Sequence, residues 1–524
     1  MQKWALPPKR LRLLIISVLV LGVFFRFVHF DQRALTSDEV RSLLNSSGYT
    51  SQELIEQVFN GDVLSVADLQ RYQQPNSQKN LVDAIKSLMV DNFPHSPLYF
   101  VGLRYWIQCF GNSYMSTQSF SGLISLLTLP AVYWLCLELF NSSLTGWIAI
   151  ALIAVSPFHL VVNVQEARPY SLWTVTILLS SAALLKAIRL ETKFSWLVYA
   201  TTVILGFYSH PNFVFVAIAQ GIYIIVIERF RLSKKIIAYI LASFTSVLVF
   251  MPWILLLLTN KIKIPGITSW ATSYRTSIPN RIWTLTYNIS NIFIDFNYDV
   301  SYKNLFPYLL LILVGYSIYF LWRNTPQKVW LFVLILIGVT AMSQIIPDLI
   351  WGGRRAIIAR YLTPSYLGIQ LAVTYLLTNK INSISVKLWH RRFWQFVIVM
   401  LLSAGILSCA VIAQAKSGRT QGSTPPMNLQ VAHIINQAKQ PLVVSDAFYP
   451  YILSLSHLLD AKVRLQLVTK PDGIKIPDGF SDVFLYHPSL ALQNKFNTNQ
   501  KSRLEVIIAQ AEKRRFWLSK VVKL

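Results

Sequence analysis

The stretch of residues 144–186 decides the fold of this chain. It reads LTGWIAIALIAVSPFHLVVN (144–163), VQEAR (164–168) and PYSLWTVTILLSSAALLK (169–186). Two apolar runs flank a short polar segment that carries Glu166 and Arg168. One helical crossing of a hydrocarbon core about 30 Å thick needs about 20 mostly apolar residues. The stretch therefore predicts two membrane-spanning helices, joined by a polar connection at one membrane face.

The same pattern recurs along the chain. Hydrophobic residues make up 54% of the sequence and charged residues only 14%, whereas a soluble domain carries about 25% charged residues. This composition excludes disordered, fibrous and soluble multi-domain proteins. The apolar runs predict an α-helical polytopic membrane protein with about eleven transmembrane helices, at approximately 11–30, 117–139, 144–163, 169–186, 194–209, 212–228, 236–258, 306–322, 328–347, 361–378 and 394–413.

The excess of basic residues predicts the topology. The chain has 48 Lys and Arg against 23 Asp and Glu, a net charge of +25. In a soluble protein this balance is typical of nucleic-acid binding. In so apolar a chain, the positive charge favours cytoplasmic anchoring loops, or a ligand that is an anionic lipid or a phosphate. We therefore expect no nucleic-acid partner. With eleven spans, the N-terminus and four basic loops fall on the cytoplasmic side, the loops at 186–193, 229–235, 323–328 and 380–392.

One segment conflicts with that count. Residues 96–110 are apolar but short, and they include Arg104 and Gln108. A span here would place every later basic loop outside. We interpret the segment as an interfacial amphipathic helix or a partial insertion, and a further span remains the alternative.

Two domains are predicted. Residues 1–414 form the transmembrane domain, with a long first outer loop at about 31–116 whose part at 50–90 has helix-like apolar spacing and predicts interfacial helices. After a linker at 417–426, the composition changes to alternating helix and strand patterns. Residues 415–524 therefore predict a small α/β domain, placed outside the cytoplasm by the span count. The protein is expected in the cell membrane, surrounded by membrane lipids.

Polar motifs occur at the outer ends of the predicted spans, where ionisable groups usually face a cavity rather than lipid. Each also has a structural interpretation: an N-cap at Ser37 or Asp38 before a helix at 40–44, a turn at His95, an interfacial ion pair for Glu166 and Arg168, and a polar helix break at His210. The remaining motif contributes Arg354, Arg355, Arg360 and Tyr361. Arginines at an outer face oppose the positive-inside bias, and guanidinium groups suit phosphate oxygens.

The order of these motifs resembles that of polytopic C-type glycosyltransferases, in the protein O-mannosyltransferase and aminoarabinose transferase branch (family 39-like, GT-C fold). The resemblance covers about residues 10–415. It rests on the Asp38-Glu39 pair, H-x-P-L-Y from His95, Q-E-A-R-x-Y from Gln165, an aromatic-x-His ending at His210, and R-Y-L-x-P from Arg360. Ser96 replaces a proline that is frequent in the family, and Thr36-Ser37 replaces an aromatic residue before the acidic pair.

The resemblance implies a sugar donor linked to a polyprenyl phosphate, used with inversion on the non-cytoplasmic face. It implies three catalytic acidic residues: Asp38 as the general base, Glu39 beside it, and Glu166 in the second acidic motif. Arg168, next to Glu166, would bind the donor. His95, His210, Arg360 and Tyr361 match donor-site positions, and we add Arg354 and Arg355 as candidate phosphate ligands.

The resemblance does not decide whether a divalent metal cation takes part in the reaction. It also does not decide whether the acceptor hydroxyl belongs to a glycan, a lipid or a protein. No nucleotide-binding motif or HExxH motif occurs in the sequence, which argues against an ATP-driven protein or a metalloprotease. Two alternatives to an enzyme remain: a flippase or carrier for a lipid-linked sugar without chemistry, and a scaffolding membrane protein.

Overall fold

The computed structural model describes residues 6–28, 34–296, 304–382, 388–414, 427–471, 474–498, 502–510 and 515–523. The chain divides into two compact units. We call the first the helical unit; it comprises Met1–His29, Pro94–Tyr99 and Ser121–Arg419. We call the second the sheet unit; it comprises Phe30–Phe93, Phe100–Phe120 and Thr420–Leu524. The predicted linker at 417–426 lies outside the described residues.

The described helices are, in chain order, α1 Lys9–Phe27, α2 Ser37–Ser47, α3 Ser51–Val58, α4 Val66–Gln70, α5 Leu81–Asp91, α6 Leu98–Phe110, α7 Tyr114–Leu126, α8 Thr128–Phe140, α9 Ser143–Ala154, α10 Pro157–Asn163, α11 Tyr170–Leu190, α12 Lys193–Ser209, α13 Phe213–Ile227, α14 Lys234–Thr259, α15 Ile264–Thr272, α16 Ile278–Ser290, α17 Phe306–Asn324, α18 Gln327–Ile350, α19 Thr363–Asn382, α20 Leu388–Gln414, α21 Asn428–Gln437, α22 Tyr449–Ser456 and α23 Leu490–Thr498. The described strands are β1 Asn60–Ser65, β2 Pro441–Ser445, β3 Arg464–Val468, β4 Asp482–Tyr486, β5 Ser502–Gln510 and β6 Arg515–Lys523.

Each predicted apolar run lies on a helix or a helix pair. Within the described residues, six helical stretches are long and apolar enough to cross a membrane, and a seventh is added if the bent pair α9–α10 is one span. α13 is apolar but shorter. The chain is thus a multi-pass membrane protein, while the count of eleven spans stays a prediction. The segment at 96–110 forms α6, whose 13 residues extend about 20 Å, short of the hydrocarbon thickness.

The most buried helices of the helical unit are α9, α11 and α19. α11 packs against α8 and α12, and α9 packs against α8 and α19. Gly146 allows close packing of α8 and α9, because a Cβ atom at this position would lie 2.6 Å from the ring of Tyr133. α9 and α10 meet at a 63° bend around Val155 and Ser156.

Arg26 is buried in the protein, although its place near the end of the first apolar run suggests a side chain that snorkels to a membrane surface. It is only 2% exposed. Its guanidinium donates to the carbonyl oxygens of Gly22 (2.6 Å), Ala154 (2.7 Å) and Ile153 (3.4 Å), and to Ser125 Oγ (3.1 Å). Arg26 therefore caps the carboxyl end of α9, where the bend frees backbone carbonyls that lipid could not hydrogen-bond.

The sheet unit has a six-stranded mixed sheet with the strand order β1-β3-β2-β4-β6-β5. β2 is parallel to β3 and β4, and all the other strand pairs are antiparallel. This agrees with the predicted α/β domain, but two features were not predicted. The first outer loop contributes β1 between its helices, and the chain ends in the antiparallel pair β5–β6. The apolar core lies under β2 and β4 and includes Leu442, Val444, Val483 and Leu485.

Candidate active site

A buried ion pair forms the centre of the polar site in the helical unit. Glu166 lies in the connection between α10 and α11, and Arg360 lies in the 3-10 helix Ala359–Leu362 that precedes α19. The Nη1 atom of Arg360 lies 3.2 Å from Oε2 of Glu166, and each side chain is at most 5% exposed. The guanidinium also lies 5.4 Å above the ring centre of Tyr170. Charges this deeply buried are retained only when they are paired, so the two residues hold each other in place.

The second pair joins His95 to Arg168. Arg168 is held in the same connection by its backbone N–H, which donates to the Glu166 carbonyl oxygen at 2.8 Å. Its Nη2 atom donates to Nε2 of His95 at 3.0 Å. Since arginine has only donors, His95 accepts through Nε2, which assigns the ring proton to Nδ1 in the neutral imidazole. The motif before α6 and the motif before α11 therefore meet.

His210 completes this group at the junction of α12 and α13. Its ring stacks on Trp173 with centroids 4.2 Å apart, and lies 5.5 Å from the Tyr170 ring. The Asn212 backbone N–H donates to Nδ1 of His210 at 3.2 Å. Burial lowers the pKa of His210 well below its usual value, and the nearby positive charges of Arg168 and Arg360 lower it further. The ring is therefore neutral at physiological pH.

The structure thus brings together five of the predicted residues: His95, Glu166, Arg168, His210 and Arg360. All lie in connections between helices, within the helical unit, and the membrane face on which they lie stays a prediction. Two arginines accompany one glutamate in this group, which gives it an excess of positive charge. Such a preorganised set of buried donors suits a ligand with anionic oxygens.

Arg354 and Arg355 are neighbours in sequence but differ in role. Arg355 pairs with Asp348 at 2.9 Å, and Asp348 also accepts from the backbone N–H of Ala356 at 2.8 Å. Arg355 therefore stabilises the loop after α18. Arg354 instead lies 5.4 Å from the Trp270 ring centre and 4.7 Å from that of Tyr274, and no carboxylate pairs with it in the described part of the chain.

Sequence reasoning missed several contributors to this region. Trp270 lies near both Arg354 and Arg360, and Arg281, which is 6% exposed, donates to the Gly353 carbonyl oxygen at 3.1 Å. The only sequence signal was the abundance of Trp, Tyr and Asn in the loop at 259–305. Tyr361 follows Arg360 in the same 3-10 helix and is half-buried.

The acidic pair after the first predicted span belongs to the sheet unit. Thr36 is the N-cap of α2, and Glu39 completes a capping box in which its Oε2 accepts from the Thr36 backbone N–H at 2.7 Å. Gln118 donates to the other carboxylate oxygen of Glu39. The helix thus begins at Ser37, earlier than the predicted 40–44, and its N-cap is Thr36 rather than Ser37 or Asp38. Glu39 is 1% exposed, whereas Asp38 is half-buried and lies outside the capping box.

The described residues do not form an evident binding site for a divalent cation. No cluster of three or more His, Cys, Asp or Glu side chains able to share a metal ion occurs among the residues that the structure describes. We therefore assign no step of a reaction to a metal, and the participation of a cation stays an untested prediction.

Breaking the buried ion pair is expected to destabilise the protein far more than breaking a surface pair. Glu166→Gln leaves the Arg360 charge uncompensated, at an expected cost of about 3–5 kcal/mol in unfolding free energy. The matched control is Glu191→Gln, which breaks a pair of 3.1 Å between Lys235 and the 51% exposed Glu191, and should cost less than about 1 kcal/mol. Unfolding of the purified variants in detergent measures the difference. Equal stability of the two variants would contradict the structural role of the buried pair.

The fold and the buried charged site together define a polytopic membrane protein with a mixed α/β unit. The sequence profile of the family described as dolichyl-phosphate-mannose-protein mannosyltransferase matches residues 94–256, under a third of the chain. That range includes His95, Glu166, Arg168 and His210. Comparison with curated proteins gives no significant match.

Solved structures share the fold. ArnT from Cupriavidus metallidurans matches in its apo state with a TM-score of 0.55 and 10% identity, over 97% of both chains. The same protein bound to undecaprenyl phosphate matches with a TM-score of 0.52 and 10% identity, over 98% of both chains. Arabinofuranosyltransferase AftD from Mycobacteria matches with a TM-score of 0.51 and 12% identity, over 99% of this chain and 40% of AftD. The predicted fold class is confirmed by these similarities.

Proposed function

We propose that the protein is a membrane glycosyltransferase that moves a sugar from a polyprenyl-phosphate-linked donor to an acceptor hydroxyl, with inversion. The observation that carries the proposal is the buried group formed by Glu166, Arg360, Arg168, His95 and His210. The description of the matching family and the undecaprenyl phosphate bound to ArnT support a lipid-phosphate donor.

The arginines would act on the donor phosphate. As the bond between the anomeric carbon and the phosphate oxygen breaks, negative charge grows on the departing polyprenyl phosphate. Donors fixed in a buried site stabilise such developing charge without having to reorganise. Glu166 would hold Arg360 in position, and His95 would orient Arg168. Arg354, between its aromatic neighbours, is the candidate for a direct phosphate contact, while Arg355 is committed to Asp348.

Asp38 would be the general base. It would remove the proton from the acceptor hydroxyl as that oxygen attacks the anomeric carbon from the side opposite the phosphate, which inverts the configuration. Its position outside the capping box, in contrast to Glu39, supports this choice of carboxylate. The acceptor, whether a glycan, a lipid or a protein, needs only a nucleophilic hydroxyl. We place the reaction on the non-cytoplasmic face of the cell membrane, with a cytoplasmic N-terminus.

A flippase or carrier for the lipid-linked sugar is the second candidate. The bend between α9 and α10 favours it, since interrupted helices line the binding sites of many transporters. The purified protein in vesicles, supplied with a lipid-linked sugar and membrane-derived acceptors, distinguishes the two. Formation of a glycoside supports the enzyme, and transbilayer movement of the donor without any glycoside overturns it.

Arg354→Gln is expected to lower kcat/KM for the lipid-linked donor by about 10- to 100-fold, because a charge-assisted contact to the phosphate is lost from the bound donor and from the transition state. Arg354→Lys should retain part of the affinity, since it keeps the charge but not the guanidinium fork. The matched control is Arg323→Gln, at the exposed end of α17. An unchanged kcat/KM in Arg354→Gln would exclude Arg354 from the donor site.

A further inference from the structure

A groove of about 440 Å³ lies between α12 and α14, and no part of the proposed mechanism uses it. Its floor is apolar and made of small residues beside one indole: Ala200, Ala238, Ala242 and Trp196. Its walls include Leu197 and Leu241, each 61% exposed. The two helices begin side by side, because Lys235 of α14 pairs with Glu191, just before α12, at 3.1 Å. The groove therefore starts where both helices begin and follows them into the apolar region.

The rim of the groove is basic. Three lysines and one glutamate line it: Lys193, Lys234, Lys235 and Glu191. Lys235 is engaged by Glu191 at 3.1 Å and by Glu228 at 3.7 Å. Lys193 and Lys234 are exposed, and neither forms an ion pair with a carboxylate in the part of the chain that the structure describes. Two ammonium groups therefore lie at the mouth of an apolar groove without an anion from the protein.

The length of the groove fits one leaflet of a bilayer. From Lys234 to Thr245, the lining follows α14 for twelve residues, whose eleven steps of 1.5 Å extend about 16 Å. Half of a hydrocarbon core of about 30 Å is about 15 Å. A ligand that fills the groove would thus have an anionic head at the level of Lys193 and Lys234, and an acyl chain that ends near the bilayer midplane.

We propose that this groove is a binding site for one anionic glycerophospholipid. The phosphate would lie between Lys193 and Lys234, and an acyl chain would cover Trp196 and the alanine floor. A zwitterionic lipid would add its own cation to a rim that is already positive. A polyprenyl chain would extend well beyond a groove that ends near the midplane. The positive ends of the two helix dipoles, at Lys193 and Lys234, add to the preference for an anion.

Native mass spectrometry of the purified full-length protein tests the proposal, with phosphatidylglycerol and phosphatidylcholine of identical acyl chains as the probes. Each lysine near an anionic headgroup contributes roughly a fivefold gain in affinity. Lys193→Gln/Lys234→Gln should therefore lower the preference for phosphatidylglycerol about 20-fold, with little change in phosphatidylcholine binding. The matched control, Lys186→Gln/Lys328→Gln, removes two lysines outside the lining and should keep the preference.

A second variant tests the groove without changing its charge. Ala238→Leu fills the floor and should reduce the number of tightly bound phosphatidylglycerol molecules by one, at an unchanged thermal unfolding temperature. The proposal is overturned if the double lysine variant keeps its preference, if Ala238→Leu retains the full number of bound lipids, or if a polyprenyl phosphate displaces phosphatidylglycerol at equal concentration. None of these outcomes depends on glycosyltransferase activity.

Discussion

Asp38→Asn is expected to slow sugar transfer by about 10²- to 10⁴-fold, the range in which general base catalysis contributes to enzymatic rates. The amide has the same size as the carboxylate but cannot accept the hydroxyl proton. The fold should remain intact, since the change removes one negative charge from the first turn of α2, at a cost of about 0.3–1 kcal/mol. Binding of the lipid-linked donor should be nearly unchanged.

Glu39→Gln is the matched control for this experiment. Glutamine can replace glutamate in a capping box, so α2 should keep its N-terminal geometry. Glu39→Gln removes the carboxylate next to Asp38, and this variant should transfer sugar at close to the wild-type rate. Initial rates with a synthetic lipid-linked donor, normalised to folded protein, measure both variants. Full activity of Asp38→Asn, or an equal loss in both variants, would refute Asp38 as the base.

The helical part of the fold could be predicted because its cause is local. Backbone groups in hydrocarbon must be hydrogen-bonded within their own helix, so each apolar run of sufficient length becomes helical. The convergence of His95, Glu166, Arg168, His210 and Arg360 could be predicted for a related reason. Successive spans alternate in direction, which brings every second connection to the same end.

The sheet unit was less predictable, because strand pairing joins distant parts of the chain. β1, at 60–65, pairs with β3, at 464–468, and nothing in the local sequence of either strand indicates this partner. β1 also lies within 50–90, where the apolar spacing resembles that of helices. β5 and β6 form an antiparallel pair with a shifted register, so their alternation of polar and apolar residues is irregular.

The roles of adjacent charged residues could not be separated by sequence. Asp38 and Glu39 look equivalent, yet only Glu39 is in the capping box. Arg354 and Arg355 look equivalent, yet only Arg355 lies within reach of Asp348 at the end of α18. In both cases the distinction depends on the direction of one side chain relative to a neighbouring helix end, which the residue types alone do not encode.

Arg26→Leu is expected to lower the free energy of unfolding by about 3–5 kcal/mol. The guanidinium donates to three carbonyl oxygens and to Ser125. Leucine leaves the Ala154 carbonyl at the bend between α9 and α10 without its side-chain donor, while the Ile153 carbonyl still accepts from the Ser156 backbone N–H at 3.3 Å. Hydrogen bonds to charged groups contribute about 1.5–3 kcal/mol each, and buried acceptors left without a donor carry a full desolvation penalty. Leucine is otherwise well suited to a membrane helix, so the loss can be attributed to the hydrogen bonds.

The matched control is Arg12→Leu, on the same helix, where the guanidinium makes a single weak contact of 3.4 Å to the Pro7 carbonyl oxygen. Its loss should change the unfolding free energy by less than about 1 kcal/mol. Unfolding of both variants in detergent, monitored by circular dichroism, provides the comparison. If Arg26→Leu unfolds like the control, other donors satisfy the carbonyls at the bend. If it unfolds earlier, Arg26 stabilises the bend between α9 and α10, and α10 ends only three residues before Glu166.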